Sequence, residues 1–563
     1  MVYREAIKEA PCRRACLAGV DIPRYIRLIS MGKYNEALAV IRERNPFPAV
    51  CGRVCLAPCE KACQAHHHHV DGPVAINALK RFVTERASLP EKSLAPKSSG
   101  KRVAVVGSGP TGLTAGYYLT KLGHKVTVLE ALPVAGGMMR VGIPEYRLPR
   151  EVLDKEIDEI KSIGVEIKTN SRIDSLDDLL GQGYDAVFLA LGAHRGIKLM
   201  TEGEDSQGVV QAVSFLRDVS LGKRVNLGDR VAVIGGKYAA IDSARTALRL
   251  GTKEVTMIYP DARDQIPASP EEVATALDEG IKMIFSAAPQ RISRRNGKLN
   301  LTCIRVELGK PDKSGQRPMI LVKGSDFSME FDAILAAIGE TPDVPSQFGL
   351  RMGKGNTIQV NNPRILATSR QGVFAGGDVV TGSASVIAAI AAGRRAAISI
   401  DKYLGGSGNI EEMVRTYDEE LPPLIRGVTV GKRAIIPILP IAKRLSGFDE
   451  VALGLDEAAA IHESTRCLWC DLSILADPTK CVGCFRCALM CSFRFEGAFN
   501  PGYAKIKIVS PDRSTPPGES EISFTDDCDN CGICVRTCSY GALTREKRAE
   551  PDEDLIKYGN GGA

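Results

Sequence analysis

The sequence contains no long apolar run. No segment approaches the ~20 apolar residues that a membrane-spanning helix requires, and the first residues, MVYREAIKEAP, carry no apolar signal-peptide core. The net charge is only +6 over 563 residues, which gives no reason to expect a nucleic-acid partner. We therefore expect a protein without a membrane span that works in the reducing environment of the cytoplasm.

Cysteine, by contrast, is abundant. The chain has 17 cysteines, and in a reducing compartment clustered cysteines are typical of metal ligands rather than disulfides. Six precede residue 64 and ten follow residue 465. The remaining one, Cys303, lies in a strand-like run and is predicted to be a small core residue.

The last region repeats one cysteine pattern, C-x2-C-x2-C-x3-C, in two halves. This spacing is typical of bacterial ferredoxins, in which three close cysteines bind one 4Fe–4S cluster and the fourth crosses to the other. Zinc is the alternative, but two sets of four cysteines at this spacing disfavour it. The predicted ligands are Cys481, Cys484, Cys487 and Cys538 for one cluster, and Cys528, Cys531, Cys534 and Cys491 for the second.

The central region begins with an apolar strand that runs into a glycine-rich turn. The run KRVAVVGSGPTGL places Gly107, Gly109 and Gly112 in a G-x-G-x-x-G pattern between a strand and a helix. Such glycines allow a tight turn, a close approach to a pyrophosphate and close helix packing. Glu130 ends the next strand, where its carboxylate can accept from a ribose hydroxyl. The alternative, a turn without a ligand, is disfavoured by this acid.

Two later motifs narrow the ligand of this turn to FAD. The run Phe374–Asp378 (FAGGD) follows a strand, and a helix begins after Ser385. The Asp378 carboxylate can hold a ribityl hydroxyl, and the helix N-terminus can point at the electron-rich edge of a flavin. The runs around Gly192 and Gly339 are apolar strand ends that close such domains. Each piece alone is consistent with a surface turn, but their order along the chain favours FAD.

The run GGMMRVGIPEYRLP, residues 136–149, resembles the signature of the glutamate synthase small-subunit family. That family includes the N-terminal part of dihydropyrimidine dehydrogenase and the large subunits of ferredoxin:NADP transhydrogenases. The resemblance covers about residues 5–405 and implies a helical iron–sulfur domain, then an FAD domain with an inserted NAD(P)H domain. The expected FAD-binding residues are Gly107, Gly109, Pro110, Thr111, Gly112, Glu130, Ala131, Gly137, Met138, Gly142, Arg147, Gly192, Gly377, Asp378, Ser385 and Val386.

The predicted fold class is α/β, with two Rossmann-like dinucleotide-binding domains between a helical N-terminal domain and a ferredoxin-like α+β C-terminal domain. Helical patterns in the first domain cover Ile22–Ile41 and Val74–Ala87. The predicted boundaries are 1–98 for the helical 4Fe–4S domain, 99–228 with 332–405 for the FAD domain, 229–331 for the NAD(P)H-type domain, 406–465 for a linker or extension, and 466–563 for the domain with two 4Fe–4S clusters.

The inserted domain departs from the family's nucleotide-binding pattern, which is similar to G-G-G-N-x-A. Lys237 follows Gly235 and Gly236, and its side chain should obstruct the approach of the backbone to a pyrophosphate. Members that use NADPH carry a motif similar to Tyr-Arg-Arg after the next strand, with two cations for the 2′-phosphate. Here Pro260 and Asp261 stand in place of the two arginines. Asp261 would repel a 2′-phosphate, but it stands where an NAD-type acid belongs. NADPH is therefore disfavoured, and two alternatives stay open: NADH use, or a domain that has kept its fold and lost its nucleotide.

The six N-terminal cysteines resemble the family's cluster domain, in which relatives bind two clusters. Relatives carry a further C-x-x-C just upstream of the Cys12 position, whereas here a similar motif, Cys467-Leu-Trp-Cys470, lies beyond the flavin domain. The resemblance implies that this pair folds back to complete one of the two clusters. A separate redox or zinc pair is the alternative. The expected ligand sets are Cys12, Cys63, Cys467 and Cys470, and Cys16, Cys51, Cys55 and Cys59.

One member of the second set replaces a ligand that some relatives supply from a helix. Those relatives use a Gln or Glu, and the matching position here is about Lys80, whose ammonium has no lone pair to give. Cys51 is therefore predicted to be the fourth ligand in place of that Gln or Glu. A run of four histidines, His66–His69, is predicted to be a polar loop rather than a metal site.

No hydrolytic triad, P-loop or general-base pair is evident, so no catalytic side chain is predicted and the chemistry is assigned to the cofactors, FAD and four 4Fe–4S clusters. The first hypothesis is an NAD(P)H:acceptor oxidoreductase, with NADH preferred, that passes electrons to ferredoxin or a partner subunit of a hetero-oligomeric complex. The second is an electron-wiring subunit of a larger complex, with FAD and clusters but no nucleotide turnover.

Overall fold

The structure is a computed structural model that describes residues 2–4, 9–66, 72–87, 97–309, 317–411, 431–509 and 520–546. Most of the predicted histidine loop, from His67 to His69, lies outside the described residues. Among the described residues, no helix combines the length and the apolar character that crossing a membrane would require.

The N-terminal domain is helical, as predicted. The sequence pattern over Ile22–Ile41 forms two helices rather than one, because the chain turns at Gly32, which has φ 70°, a value that favours glycine. The Lys33 amide donates to the Leu28 carbonyl (2.9 Å) and closes the turn. The helices of this domain are Pro11–Ala15, Ile22–Ser30, Tyr34–Arg42, Pro48–Val54, Pro58–Lys61 and Ile76–Arg86.

A parallel five-stranded sheet forms the first Rossmann-like domain. Its strands, from one edge to the other, are Val373–Ala375, Ala186–Leu189, Arg102–Val106, Lys125–Leu129 and Glu166–Lys168. The glycine turn after Arg102–Val106 leads into the helix Pro110–Lys121, which packs against the long helix Val386–Tyr403. The contact is close because the long helix carries a glycine there: a Cβ on Gly393 would lie 2.4 Å from the Thr111 carbonyl oxygen.

A second parallel sheet forms the inserted domain, and it reaches beyond the predicted boundaries of 229–331. Its strand order is Lys282–Ile284, Glu254–Ile258, Arg230–Ile234, Ala333–Ala336 and Val209–Gln211. The strand Ala333–Ala336 pairs with strands on both of its sides, so hydrogen bonding assigns it and Val209–Gln211 to this sheet. An antiparallel sheet of Ala287–Arg295, Lys298–Leu308, Met319–Leu321 and Phe327–Phe331 covers one face. Cys303 is fully buried there, in the predicted core position.

The C-terminal domain combines helices Arg486–Glu496 and Ile533–Thr537 with two small antiparallel sheets. One sheet is the hairpin Ile506–Val509 with Glu521–Phe524. In the other, the strand Ser473–Ala476 pairs on one side with Leu543–Glu546 and on the other with Val2–Arg4. The N-terminal residues therefore complete a sheet of the C-terminal domain.

Within the segment 431–472, between the flavin domain and the ferredoxin-like domain, a buried carboxylate joins three parts of the chain. The helix Glu457–Thr465 carries Glu463, which is fully buried. Its two oxygens accept from the amides of Ala75 (2.8 Å) and Ala434 (2.7 Å), and from Arg466 (2.5 Å). This extension is thus fixed against the N-terminal helices, and one continuous apolar core joins the helical, first Rossmann-like and C-terminal domains.

Candidate redox centres

A cavity of about 840 Å³ opens at the carboxyl ends of the first parallel sheet, the edge at which open α/β sheets bind ligands. Fourteen of the sixteen predicted FAD-binding residues line it: Gly107, Gly109, Pro110, Thr111, Glu130, Ala131, Gly137, Met138, Gly142, Arg147, Gly192, Asp378, Ser385 and Val386. Gly112 and Gly377 lie behind it. A Cβ at Gly112 would come 2.0 Å from the Gly107 carbonyl oxygen, and one at Gly377 would come 2.3 Å from Thr111 Oγ1.

Two glycines meet at the floor of the cavity. Gly137 has φ 53°, and a Cβ added to it would lie 2.6 Å from the Gly109 Cα. Gly109 immediately precedes the helix Pro110–Lys121, whose first amides have no intrahelical partner. Bare backbone beside unpaired amides at a helix N-terminus is the arrangement that accepts a pyrophosphate. The residues present therefore fit a dinucleotide.

Glu130 lies beside this turn and is buried. One carboxylate oxygen accepts from the Ser108 amide (3.0 Å) and hydroxyl (2.6 Å), and the other accepts from the Leu132 amide (2.8 Å). A carboxylate offers about four acceptor positions, so Glu130 can stabilise the turn and still accept from a ligand hydroxyl. The structure thus gives this residue a structural role that its sequence position did not predict.

Asp378 and the helix Val386–Tyr403 line the opposite wall of the cavity. Burial raises the pKa of the Asp378 carboxyl to about 6, although the Ala384 amide hydrogen bond lowers it. Ser385 caps the helix, since its hydroxyl accepts from the Ala388 amide (3.3 Å). The cap and the first turn of the helix face the cavity, so its N-terminal amides are directed toward a bound ligand.

His194 also lines the cavity, and the sequence analysis did not identify it. It lies two residues after Gly192, at the same carboxyl edge of the sheet, and this position is the signal that could have found it. Burial lowers the pKa of the imidazole, while the nearby Glu130 carboxylate opposes that change. The neutral ring can donate or accept one hydrogen bond toward a ligand.

The second glycine turn has a different environment. The Tyr259 ring lies on Gly236, so that a Cβ there would come 2.6 Å from the ring. Burial, together with a hydrogen bond to Asp261, raises the pKa of Tyr259 to about 12. Lys237 has an ordinary φ of −82°, is exposed and begins the helix Tyr238–Arg249. Of the four candidate nucleotide-binding residues, only Lys237 lines the large cavity, whereas Gly235, Gly236 and Asp261 lie outside it.

A charged network joins the two Rossmann-like domains beside the cavity. Arg147 of the first domain pairs with Asp242 (2.7 Å) and Glu272 (3.3 Å) of the second. The neighbouring Tyr146 ring lies beneath the guanidinium groups of Arg245 (4.7 Å) and Arg249 (4.1 Å). Such buried cation–π contacts add to the ion pairs. Arg147 therefore holds the inserted domain in place, besides lining the cavity.

All seventeen cysteines are free thiols, and sixteen of them fall into four groups. We name these by position: the cavity group (Cys16, Cys51, Cys55, Cys59), the junction group (Cys12, Cys63, Cys467, Cys470), the inner group (Cys491, Cys528, Cys531, Cys534) and the outer group (Cys481, Cys484, Cys487, Cys538). The groups are the four predicted ligand sets, and their binding of clusters stays a prediction.

The junction group unites cysteines from the two ends of the chain. Burial raises the pKa of the Cys12 thiol, and the adjacent Cys467, Cys470 and Cys63 raise it further. The C-terminal pair is held from the ferredoxin-like side, where Asn530 Nδ2 donates to the Cys470 carbonyl (3.3 Å). The same loop accepts at the Leu468 carbonyl from the buried Arg545 (2.9 Å).

Mutual proximity also defines the other three groups. In the cavity group, burial, with smaller contributions from Cys55 and Cys16, raises the pKa of Cys59 to about 12. In the outer group, burial raises the pKa of Cys487 to about 12, with Cys484, Cys538 and Cys481 as neighbours. In the inner group, burial raises the pKa of Cys534, with Cys531, Cys491 and Cys528 adding to it.

Four clustered thiols fit a cubane cluster without converging on one point, because each thiolate of a 4Fe–4S cluster binds a different iron. No set of three or more His, Cys, Asp or Glu side chains within the described ranges converges to hold a single metal ion. The donor sets therefore have the number and chemistry that four such clusters require.

The four groups follow one another away from the cavity. Leu17, Val54 and Leu56, which flank cysteines of the cavity group, line the cavity itself. Tyr25 is fully buried between the cavity and junction groups, where Cys59, Cys12 and Cys16 all raise its pKa after burial.

The later steps in this order are equally close. Cys531 of the inner group is among the charges that raise the pKa of Cys470 of the junction group, after burial and Cys467. Cys487 of the outer group similarly acts on Cys534 of the inner group. The outer group alone among the four has an exposed cysteine, Cys484.

Comparison with known proteins agrees with this architecture. Residues 6–91 match the family model described as dihydropyrimidine dehydrogenase domain II, 4Fe-4S cluster. Residues 105–155 match an NAD(P)-binding Rossmann-like domain, and residues 160–393 match the pyridine nucleotide-disulphide oxidoreductase model.

Curated relatives cover most of the chain. It is 42% identical to the NADP(+)-dependent formate dehydrogenase subunit beta of Moorella thermoacetica, over 82% of this chain and 70% of that protein. It is 37% identical to the NADPH-Fe(3+) oxidoreductase subunit beta of Geobacter sulfurreducens, over 82% and 75%. It is 34% identical to the NADPH glutamate synthase small chain of Escherichia coli, over 70% and 88%. The chain is therefore an oxidoreductase of the glutamate synthase small-subunit-like family of iron–sulfur flavoproteins.

Proposed function

We propose that this protein transfers electrons between FAD in the large cavity and four 4Fe–4S clusters in series, ending at a partner subunit or ferredoxin. FAD exchanges two electrons with a donor and single electrons with iron–sulfur clusters, so it supplies the conversion between the two. The observation that carries the proposal is the order cavity, cavity group, junction group, inner group, outer group. The sixteen predicted cysteines would hold the clusters, and the fourteen cavity residues would hold the flavin.

The outer group provides the exit of this series. Its exposed thiol, Cys484, is flanked by the exposed side chains of Val482 and Tyr540, and within the described part of the chain this surface is open to a partner. The relatives from Moorella and Geobacter are named as beta subunits, which supports a place in a hetero-oligomeric complex. So many thiols kept as ligands also favour the reducing environment of the cytoplasm.

We assign NADH as the favoured two-electron donor. Asp261 follows the second strand of the inserted domain, as the acid of an NAD site does, and its charge opposes a 2′-phosphate. The three relatives named above carry NADP or NADPH in their names, so the donor is a point on which this chain would differ from them.

A second candidate is a wiring subunit without nucleotide turnover, and a specific observation favours it. The Tyr259 ring covers Gly236, and Lys237 occupies the position at which a pyrophosphate would need bare backbone. In this version the donor electrons come from another subunit, and the inserted domain has a structural role.

Anaerobic mixing of the holoprotein with NADH and, separately, with NADPH distinguishes these versions. We expect NADH to bleach the absorbance of the oxidised flavin at least about tenfold faster than NADPH, a barrier difference of about 1.4 kcal/mol. The measurement is stopped-flow absorbance, with dithionite as the control that shows the flavin to be reducible. Faster bleaching by NADPH would overturn the NADH assignment, and no bleaching by either nucleotide would establish the wiring version.

A Gly137→Ala variant tests the flavin cavity. The added methyl group would press on the Gly109 backbone at a positive φ, and strain of roughly 1–3 kcal/mol is expected, or about 5–150-fold weaker FAD binding. The measurement is the amount of FAD that each polypeptide still holds after dialysis. Gly181→Ala is the matched control, because no atom lies within 4 Å of the added Cβ. Equal flavin retention by both variants would contradict the assignment.

A further inference from the structure

Lys80 is a lysine buried in the helical domain. It lies on the helix Ile76–Arg86 with 3% of its surface exposed. Its Nζ donates to Asn77 Oδ1 (3.3 Å), and no carboxylate within the described ranges forms an ion pair with it. A buried ammonium is costly unless an opposite charge compensates it, so Lys80 requires an anion that the carboxylates do not supply.

The surroundings of Lys80 are the thiols of the cavity group. Its helix crosses the helix Pro48–Val54 so closely that a Cβ on Gly52 would lie 2.8 Å from the Arg81 backbone, which brings Lys80 beside Cys51. Asn77, the partner of the ammonium, also donates to the Cys55 carbonyl (3.0 Å). All four cysteines of the cavity group, and none of the other groups, are among the charges that act most strongly on the ammonium.

Two buried arginines near the other groups have carboxylate partners. Arg27, near the junction group, pairs with Asp471 (2.7 Å). Arg494, near the inner group, pairs with Asp529 (2.7 Å). Arg545, also near the junction group, is buried without a carboxylate, but the carbonyls of Leu468, Leu472 and Asn530 and Asn530 Oδ1 accept from it. For the Lys80 ammonium, the described ranges show one acceptor, Asn77 Oδ1.

We infer that Lys80 is the counter-cation of the cluster in the cavity group and raises the reduction potential of that cluster above the value it would have with a neutral side chain. A 4Fe–4S cluster with four thiolates is an anion, and reduction adds one more negative charge. A nearby buried cation stabilises the more negative state more strongly, because Coulomb attraction is weakly screened in the protein interior.

This inference rests on the proposed function, since it takes the cavity group as cluster ligands. It specifies which cluster is the favoured one-electron acceptor beside the flavin cavity. Lys80 stands where some relatives have a Gln or Glu ligand. It would therefore not bind iron but would set the potential of the cluster through its charge.

The test is a Lys80→Met variant of the full-length holoprotein, compared with Lys80→Arg and Lys61→Met. EPR-monitored redox titration gives the potentials of the clusters, and iron per FAD shows whether all clusters are present. In Lys80→Met we expect one cluster to shift to lower potential, so that its reduced-to-oxidised ratio at fixed potential falls at least tenfold, about 59 mV for one electron. Lys80→Arg should keep the native potential, and so should Lys61→Met, because Lys61 is exposed on a helix of the same domain.

The outcomes separate the inference from the proposed function. If the native holoprotein contains too little iron for four clusters, the cluster assignment itself is refuted. Unchanged potentials in a fully loaded Lys80→Met protein would overturn the role of Lys80 alone. If Lys80→Met loses one cluster, retention of that cluster in Lys80→Arg supports the need for a charge, and its loss in both variants overturns the inference, since packing would then be the cause.

Discussion

A Cys467→Ala/Cys470→Ala double variant should contain four fewer irons per FAD than the native protein while keeping its flavin. Both thiols belong to the junction group, beside Cys12 and Cys63. Two remaining cysteines cannot hold a four-iron cluster, and the loss would interrupt the series between the cavity and inner groups. We therefore also expect transfer from reduced flavin to the ferredoxin-like clusters to slow at least about tenfold, or 1.4 kcal/mol in barrier.

Iron and FAD analysis, with rapid-freeze EPR of the distal clusters, measures both effects. Cys303→Ala is the matched control, because Cys303 is fully buried in the inserted domain and belongs to none of the four groups. Unchanged iron per FAD in the double variant would show that Cys467 and Cys470 form a separate pair. Equal loss in the Cys303→Ala protein would point to general damage instead.

The second large effect is expected for Glu463→Ala, which should destabilise the holoprotein by about 3–5 kcal/mol. Removing the carboxylate leaves the buried Arg466 without its counter-charge and the amides of Ala75 and Ala434 without an acceptor. Glu463 is fully buried, so water cannot replace these bonds at low cost. Scanning calorimetry at fixed scan rate should show an unfolding midpoint lowered by about 5 °C or more.

Glu457→Ala on the same helix is the appropriate comparison. Glu457 is exposed and accepts one hydrogen bond, from the Tyr34 hydroxyl (2.7 Å), so its removal should cost less than about 1 kcal/mol. A Glu463→Ala midpoint within a degree of that of Glu457→Ala would show that the buried carboxylate is not a structural link between the N-terminal helices and the extension.

The sequence predicts the domain types, and it predicts which cysteines lie near one another, because those signals are local or countable. Glycine spacing and C-x-x-C patterns act over a few residues. The pairing of Cys467 and Cys470 with Cys12 and Cys63 is what the family resemblance implies, and their ligation to one cluster stays a prediction. The structure places these cysteines close together, although the prediction used no long-range contacts.

Features that depend on distant partners could not be predicted. The strand Ala333–Ala336 is equally apolar in either Rossmann-like domain, and only its hydrogen bonds to Arg230–Ile234 and Val209–Gln211 assign it to the second sheet. Three residues, Val2–Arg4, are too few to show strand alternation. Likewise, the cover of Tyr259 over Gly236 is a tertiary contact, whereas the obstruction by Lys237 could be read directly from the sequence.

The junction group is completed only late in synthesis, because its cysteines lie far apart in the sequence. About 460 residues separate Cys12 from Cys470, and at the roughly 5–20 residues per second of synthesis the ribosome needs roughly 20–90 seconds to cover them. During that interval the N-terminal helices exist with half of a ligand set and without the buried Glu463 that anchors them. If the junction group holds a cluster, as proposed, that cluster cannot be completed before Cys470 is synthesised, and it would be filled late in the maturation of the protein.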